Sequence, residues 1–115
     1  MRKTRLEQRI ERIKRELQDI GPMRPGSLSK QHTVCGKAGC RCGDPKQPKK
    51  HGPYFQLSYI HQGKSTTQFI RKPHVAKVRE QLANYKRFRR LTEDWVALSI
   101  EHARIVLDQL KADAK

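Results

Sequence analysis

The sequence predicts an α+β fold: an N-terminal helix, a cysteine-containing loop with a small antiparallel β-hairpin or three-stranded sheet, and a long C-terminal helix, the helices forming a coiled-coil-like scaffold. Three observations carry this prediction. Apolar residues near the N-terminus alternate at spacings of four and three; two runs rich in β-branched and aromatic residues flank a short turn sequence; and residues 74–115 contain neither Gly nor Pro while apolar residues recur at helical intervals.

Leu6, Ile10, Ile13, Leu17 and Ile20 form the a/d pattern of a helical seam and predict a helix over residues 4–20. Gly21-Pro22 stops it, and Pro25-Gly26-Ser27 extends the break. A seam of about two heptads is too short to be stable alone, so this helix must pack on another.

Residues 27–52 are rich in Gly, Pro and Lys and have no helical period, which predicts a loop with at most a short strand near residues 30–34. Residues 54–60 and 65–70 then read as two strands joined through His61-Gln62-Gly63-Lys64. A register centred on Gln62-Gly63 pairs Tyr59 with Thr66 and Phe55 with Ile70 on one face. An isolated hairpin is marginal in water, so it needs a helix or a third strand against it.

Pro73 suits the first turn of a helix, and Val75, Val78, Leu82, Tyr85, Phe88, Leu91, Trp95, Leu98 and Ile105 mark its apolar seam. At 1.5 Å per residue this helix reaches roughly 60 Å, about twice the N-terminal one. The excess length leaves the seam past Leu91 without full cover, which predicts a homodimer through residues 91–110 with Trp95, Leu98 and Ile105 in the interface. The step from Tyr85 to Phe88 to Leu91 shifts the seam and predicts a kink or a change of packing partner. The segments are therefore 1–20, 21–72 and 73–115, within one structural domain.

Lys and Arg number 26 against 11 Asp plus Glu, a net charge of +15. The excess is uneven: residues 1–20 carry +3, residues 21–90 carry +14, with only Asp44 and Glu80 as acids, and residues 91–115 carry −2. Such a block points to a polyanionic partner, nucleic acid first, with DNA ahead of RNA. Only 35% of residues are hydrophobic, which leaves little for a large core or a deep substrate pocket, and no Ser/His/Asp, phosphate-loop or metal-hydrolase pattern is present, so no enzyme is expected. The longest unbroken apolar run, residues 95–98, is far short of the roughly 20 residues that span a bilayer. Acidic residues in the first twenty argue against a transit peptide, and the expectation is a soluble cytoplasmic protein without a membrane partner.

The candidate phosphate contacts fall in three places. Lys37, Arg41, Lys46, Lys49 and Lys50 surround the cysteines; Lys64, Arg71 and Lys72 belong to the hairpin; and Arg79, Lys86 and Arg90 lie within about 40° of one another on the long helix, away from Val78, Leu82 and Tyr85. Arg87 and Arg89 widen this last group into a cationic turn. Tyr54 and Tyr59 are candidates for base stacking, with core packing the expected use of at least one of them.

Cys35, Cys40 and Cys42 are followed by His51, a tetrahedral N/S ligand set of the kind Zn²⁺ prefers, with His32 or Asp44 as alternative fourth ligands. An odd cysteine count in a protein read as cytosolic disfavours disulfides. Small reduced thiols in a Gly-rich turn are the simpler reading of the same residues. A Cys beside His can also act as a nucleophile, but the sequence offers no pocket to receive a substrate.

The ordered series Gly26-Ser27-Leu28-Ser29, Cys35-Gly36-Lys37, Cys40-Arg41-Cys42, His51-Gly52-Pro53-Tyr54 and Leu57-Ser58-Tyr59 resembles a family of short, basic prokaryotic proteins that carry a domain of unknown function, often encoded near transposase-like or other mobile-element genes. The resemblance covers about residues 20–90. It implies a shared fold and a common structural site at Cys35, Cys40, Cys42 and His51, without an activity. The expectation is a non-enzymatic nucleic-acid-binding module, an accessory protein of a mobile element; the alternative is an adaptor whose helices bind a protein partner.

Overall fold

A computed structural model describes residues 2–33 and 51–114, in the order α1 (Arg2–Gln18), β1 (Ser27–Thr33), β2 (His51–His61), β3 (Lys64–Ile70), a 3-10 turn (Lys72–His74) and α2 (Val75–Asp113). This is the predicted α+β arrangement, in its three-stranded form. The chain gathers into two compact units, one of Met1–Met23 with Ala83–Lys115 and one of Arg24–Leu82.

In the first unit α1 runs antiparallel to the second half of α2. Arg2 pairs with Glu101, the Lys3 ammonium donates to Gln109 Oε1 at 3.3 Å, and Lys14 Nζ lies 5.4 Å from the centre of the Trp95 ring. Beyond the end of α1, Asn84 Nδ2 donates to the Pro22 carbonyl at 2.8 Å. The seam residues supply the core. Leu6 and Ile13 bury against Leu91 and Leu98, and Ile10, Leu17, Ile20, Trp95 and Ile105 pack around them.

This corrects the predicted dimer interface. Leu98 is buried within the chain, and Trp95 and Ile105 pack against α1's own cluster. The reason is one of length. The 17 residues of α1 reach about 25 Å, while the stretch from Leu91 to Ile105 needs only about 21 Å at the same rise. The apolar positions before it are used elsewhere, because Val78 and Leu82 belong to the second unit's core. α2 is assigned as one helix from Val75 to Asp113, and the seam shift near Phe88 marks a change of packing partner.

The second unit is a three-stranded antiparallel sheet in the order β1-β2-β3. Phe55 pairs with Ile70 and Tyr59 with Thr66, the register expected from the turn. Gln62 and Gly63 take φ of 51° and 77°, and two successive positive φ values match the right-handed twist of the strands they join. Alternation then sorts side chains by face. Leu57 is fully buried and packs on Val78 and Leu82, with Leu28, Tyr59 and Ile70 around them; Phe55 and Val75 are also buried. Full burial of one leucine contributes about 1.5–3 kcal/mol, so the helix cover supplies what the hairpin alone lacks. β1 enters through Gly26, whose φ is +125° and whose missing Cβ would lie 2.7 Å from the Ser58 carbonyl oxygen.

Candidate nucleic-acid interface

The face of the sheet turned away from Leu57 carries Tyr54, Gln56, Ser58 and Ile60 from β2. Ladder pairing adds Ser65, Thr67 and Phe69 from β3, and Ser27, Ser29 and Gln31 from β1. Among the described residues no charged side chain occupies this outer face. Tyr54 is 42% exposed, Ile60 71% and Phe69 72%. Exposed aromatic rings among hydroxyl and amide groups form a surface on which flat π-systems can lie and be hydrogen-bonded at their edges. Ser29 Oγ donates to the Gln56 carbonyl and Gln31 Nε2 donates to Ser29 Oγ, both at 3.3 Å, which ties the polar side chains of this face to the β2 backbone.

Positive charge begins where β3 ends. A hollow of about 440 Å³ is lined by Tyr54, Phe55, Phe69, Ile70, Arg71 and Lys72. The backbone here is set by Pro73 in the first turn of the 3-10 segment, and the His74 N–H donates to the Arg71 carbonyl at 2.8 Å. Both cationic side chains are exposed. Arg79, on the first part of α2, holds its guanidinium carbon 5.9 Å from the centre of the buried Phe55 ring.

The sequence-predicted residues therefore divide. Tyr54, Arg71 and Lys72 come together at the hollow. Tyr59 packs against the core cluster on the inner face, so of the two tyrosines only Tyr54 is placed to stack. Lys64 sits opposite His61 beside the hairpin turn, roughly 20 Å along the strand from Arg71. Lys86, Arg87, Arg89 and Arg90 belong to the first unit. There Arg89 pairs with Glu93 at 3.6 Å, while Arg90 lines a small polar hollow with Arg9 and Arg12 as well as Glu16 and Asp94, so one cation of this turn is paired with an acid and the hollow itself stays cationic.

Phe69 is the residue that sequence reasoning missed. Its signal was present, because a register that puts Phe55 and Ile70 on one face puts Phe69 on the other.

Lys37, Arg41, Lys46, Lys49, Lys50, Cys35, Cys40, Cys42 and Asp44 lie outside the described residues. For His32 and His51 only the backbone is described, in β1 and β2. Among the described residues no group of His, Cys, Asp or Glu is arranged to hold a metal ion. The register does bring Thr33 opposite His51, which places the two ends of the cysteine-bearing segment side by side.

These features define a small, strongly basic α+β protein whose sheet offers an open aromatic face beside a cationic edge. The chain belongs to the DUF6788 family, a domain of unknown function, whose model matches residues 3–80. That match takes in α1, the cysteine segment and the sheet, and ends within the second turn of α2. No curated protein and no solved structure matches the chain. No helix among the described residues is long and apolar enough to cross a membrane.

Proposed function

We propose that this protein is a non-enzymatic nucleic-acid-binding module that receives a single strand on the open face of its sheet. The observation that carries this reading is the convergence of exposed Phe69 and Tyr54 with Arg71 and Lys72 around one hollow. Aromatic side chains stack on any base, and a neighbouring guanidinium and ammonium neutralise the phosphates that link successive bases. The wider charge pattern supports it, since residues 24–82 carry twelve basic groups against two acids. A duplex keeps its bases stacked on one another and presents mainly phosphate, which would leave the two rings unused.

The test is fluorescence anisotropy with labelled single-stranded and duplex DNA and single-stranded RNA of equal length, across a range of salt. Single strands are expected to bind more tightly than duplex at matched salt, with affinity falling as salt rises. Absence of binding to all three at about 50 mM salt, where electrostatic binding is strong, overturns the reading in favour of the protein adaptor.

Cys35, Cys40, Cys42 and His51 are the proposed ligands of a structural Zn²⁺. The pairing of Thr33 with His51 supports this set, because it brings His51 beside the strand that leads to Cys35. In this reading zinc closes the loop between β1 and β2 and has no catalytic part.

A further inference from the structure

α2 carries a second apolar stripe that α1 does not cover. Thr92, Val96, Ser99, Ala103, Val106 and Leu110 recur at spacings of four, three, four, three and four, a heptad seam displaced around the helix from the one that buries Leu91 and Leu98. Val96 is 59% exposed and Leu110 60%, and Ile100 and Leu107, beside the seam, are 58% and 52% exposed. With Trp95 at its edge, the stripe forms an apolar hollow of about 530 Å³. Thr92, Ser99 and Val106 are half-buried, and single exposed apolar residues need no explanation, but Val96, Ile100, Ala103, Leu107 and Leu110 exposed together along about 21 Å of helix do.

We infer that this stripe is the contact surface for a second copy of the same chain, packed antiparallel. Two features select that occupant. The stripe is self-complementary under antiparallel pairing: about a centre at residue 101, small Ser99 faces the second copy's Ala103, Val96 faces Val106, and Thr92 faces Leu110. The flanking charges also choose the direction. Glu93 and Lys111 lie on the same side of the stripe near its opposite ends, so antiparallel pairing sets Glu93 of each copy near Lys111 of the other. Parallel pairing would turn this side of one copy toward the opposite side of the other and leave Glu93 and Lys111 without that contact.

Net charge agrees. Residues 91–115 carry −2 in a chain of +15, so the apolar stripe lies where two copies can approach with least repulsion. Glu93 already pairs with Arg89, but both side chains are more than 60% exposed, and such a surface pair contributes too little to hold Glu93 from a second partner. This interface is distinct from the seam that α1 covers, and it does not depend on the nucleic-acid reading.

The test is sedimentation equilibrium of the full chain, treated with nuclease and held at about 0.5 M salt, where bridging by bound polyanion is suppressed and apolar association is not. The expected result is a dimer in the micromolar range. Ile100→Glu should shift the dissociation constant upward at least tenfold with an unchanged circular dichroism spectrum, since the position is exposed. Glu93→Lys and Lys111→Glu, repeated at low salt, should each weaken the dimer, and the double exchange should restore it. A wild-type monomer at tens of micromolar overturns the inference and assigns the stripe to another protein. A dimer indifferent to Ile100→Glu and Val96→Glu overturns it as well, because association then uses a different surface.

Discussion

Phe69 stands directly across the β2–β3 ladder from Gln56, one position along from the pair formed by Leu57 and Gln68. That single step separates a phenyl ring 72% exposed from a leucine that is fully buried. The side-chain period of a strand is two, so the register that buries Leu57 obliges Phe69 to face outward.

Replacing Phe69 by Ala should therefore leave stability within about 0.5 kcal/mol, as expected for an exposed site, and weaken single-strand binding by about 1–3 kcal/mol. Tyr54→Ala should behave alike. Thermal melts and anisotropy titrations on the same samples separate the two effects, and a Phe69→Ala protein that binds as tightly as wild type would remove the ring from the site.

Arg71 and Lys72 should act through phosphate alone. Changing both to Gln is expected to flatten the slope of log K against log salt by about 1.4 for single strands, at about 0.7 for each phosphate no longer neutralised. The weakening should be equal across base sequences, because phosphate contacts position a strand without reading it.

Replacing Lys86, Arg87, Arg89 and Arg90 together by Gln should flatten that slope by less than the removal of four phosphate-bound cations would. Arg89 already pairs with Glu93, so removing it frees less charge for phosphate than an unpaired cation would. Helix content should survive, since Gln is a good helix former; a flattening of about 2.8 would instead make this turn a main phosphate site.

Leu57→Ala should destabilise the protein by about 2–5 kcal/mol, the cost of a large-to-small change at a fully buried position. Gly26→Ala should also destabilise, because the residue combines positive φ with a carbonyl oxygen 2.7 Å from the new Cβ. Urea denaturation followed by circular dichroism measures both.

Protein from zinc-supplemented cells should contain close to one Zn²⁺ per chain, and Cys40→Ser should lower that content and the melting temperature together, since ligand binding and folding share one free energy. Metal well below one per chain, with stability unchanged by chelator, would leave the cysteines as ordinary reduced thiols.

Periodicity determined most of the fold. The 4/3 spacing from Leu6 to Ile20, the Gln62-Gly63 turn with its Phe55–Ile70 and Tyr59–Thr66 register, and the uninterrupted helix after Pro73 are local properties, readable because each follows from the geometry of a single element or a single turn. The candidate site was readable in part: Tyr54, Arg71 and Lys72 were visible by type, while Phe69 was hidden in a strand whose open face had not been assigned. What covers each apolar stripe was decided only in three dimensions. Sequence shows that Leu98 wants burial and that α1 needs a partner, but which stripe of α2 receives Leu6 and Ile13 depends on packing two faces of one helix at once. The seam of Leu91 and Leu98 meets α1, Val78 and Leu82 meet the sheet, and Val96 and Ile100 stay exposed. Burial is non-directional and indifferent to partner, so the pattern of apolar residues fixes how much must be covered, while only the tertiary arrangement fixes by what.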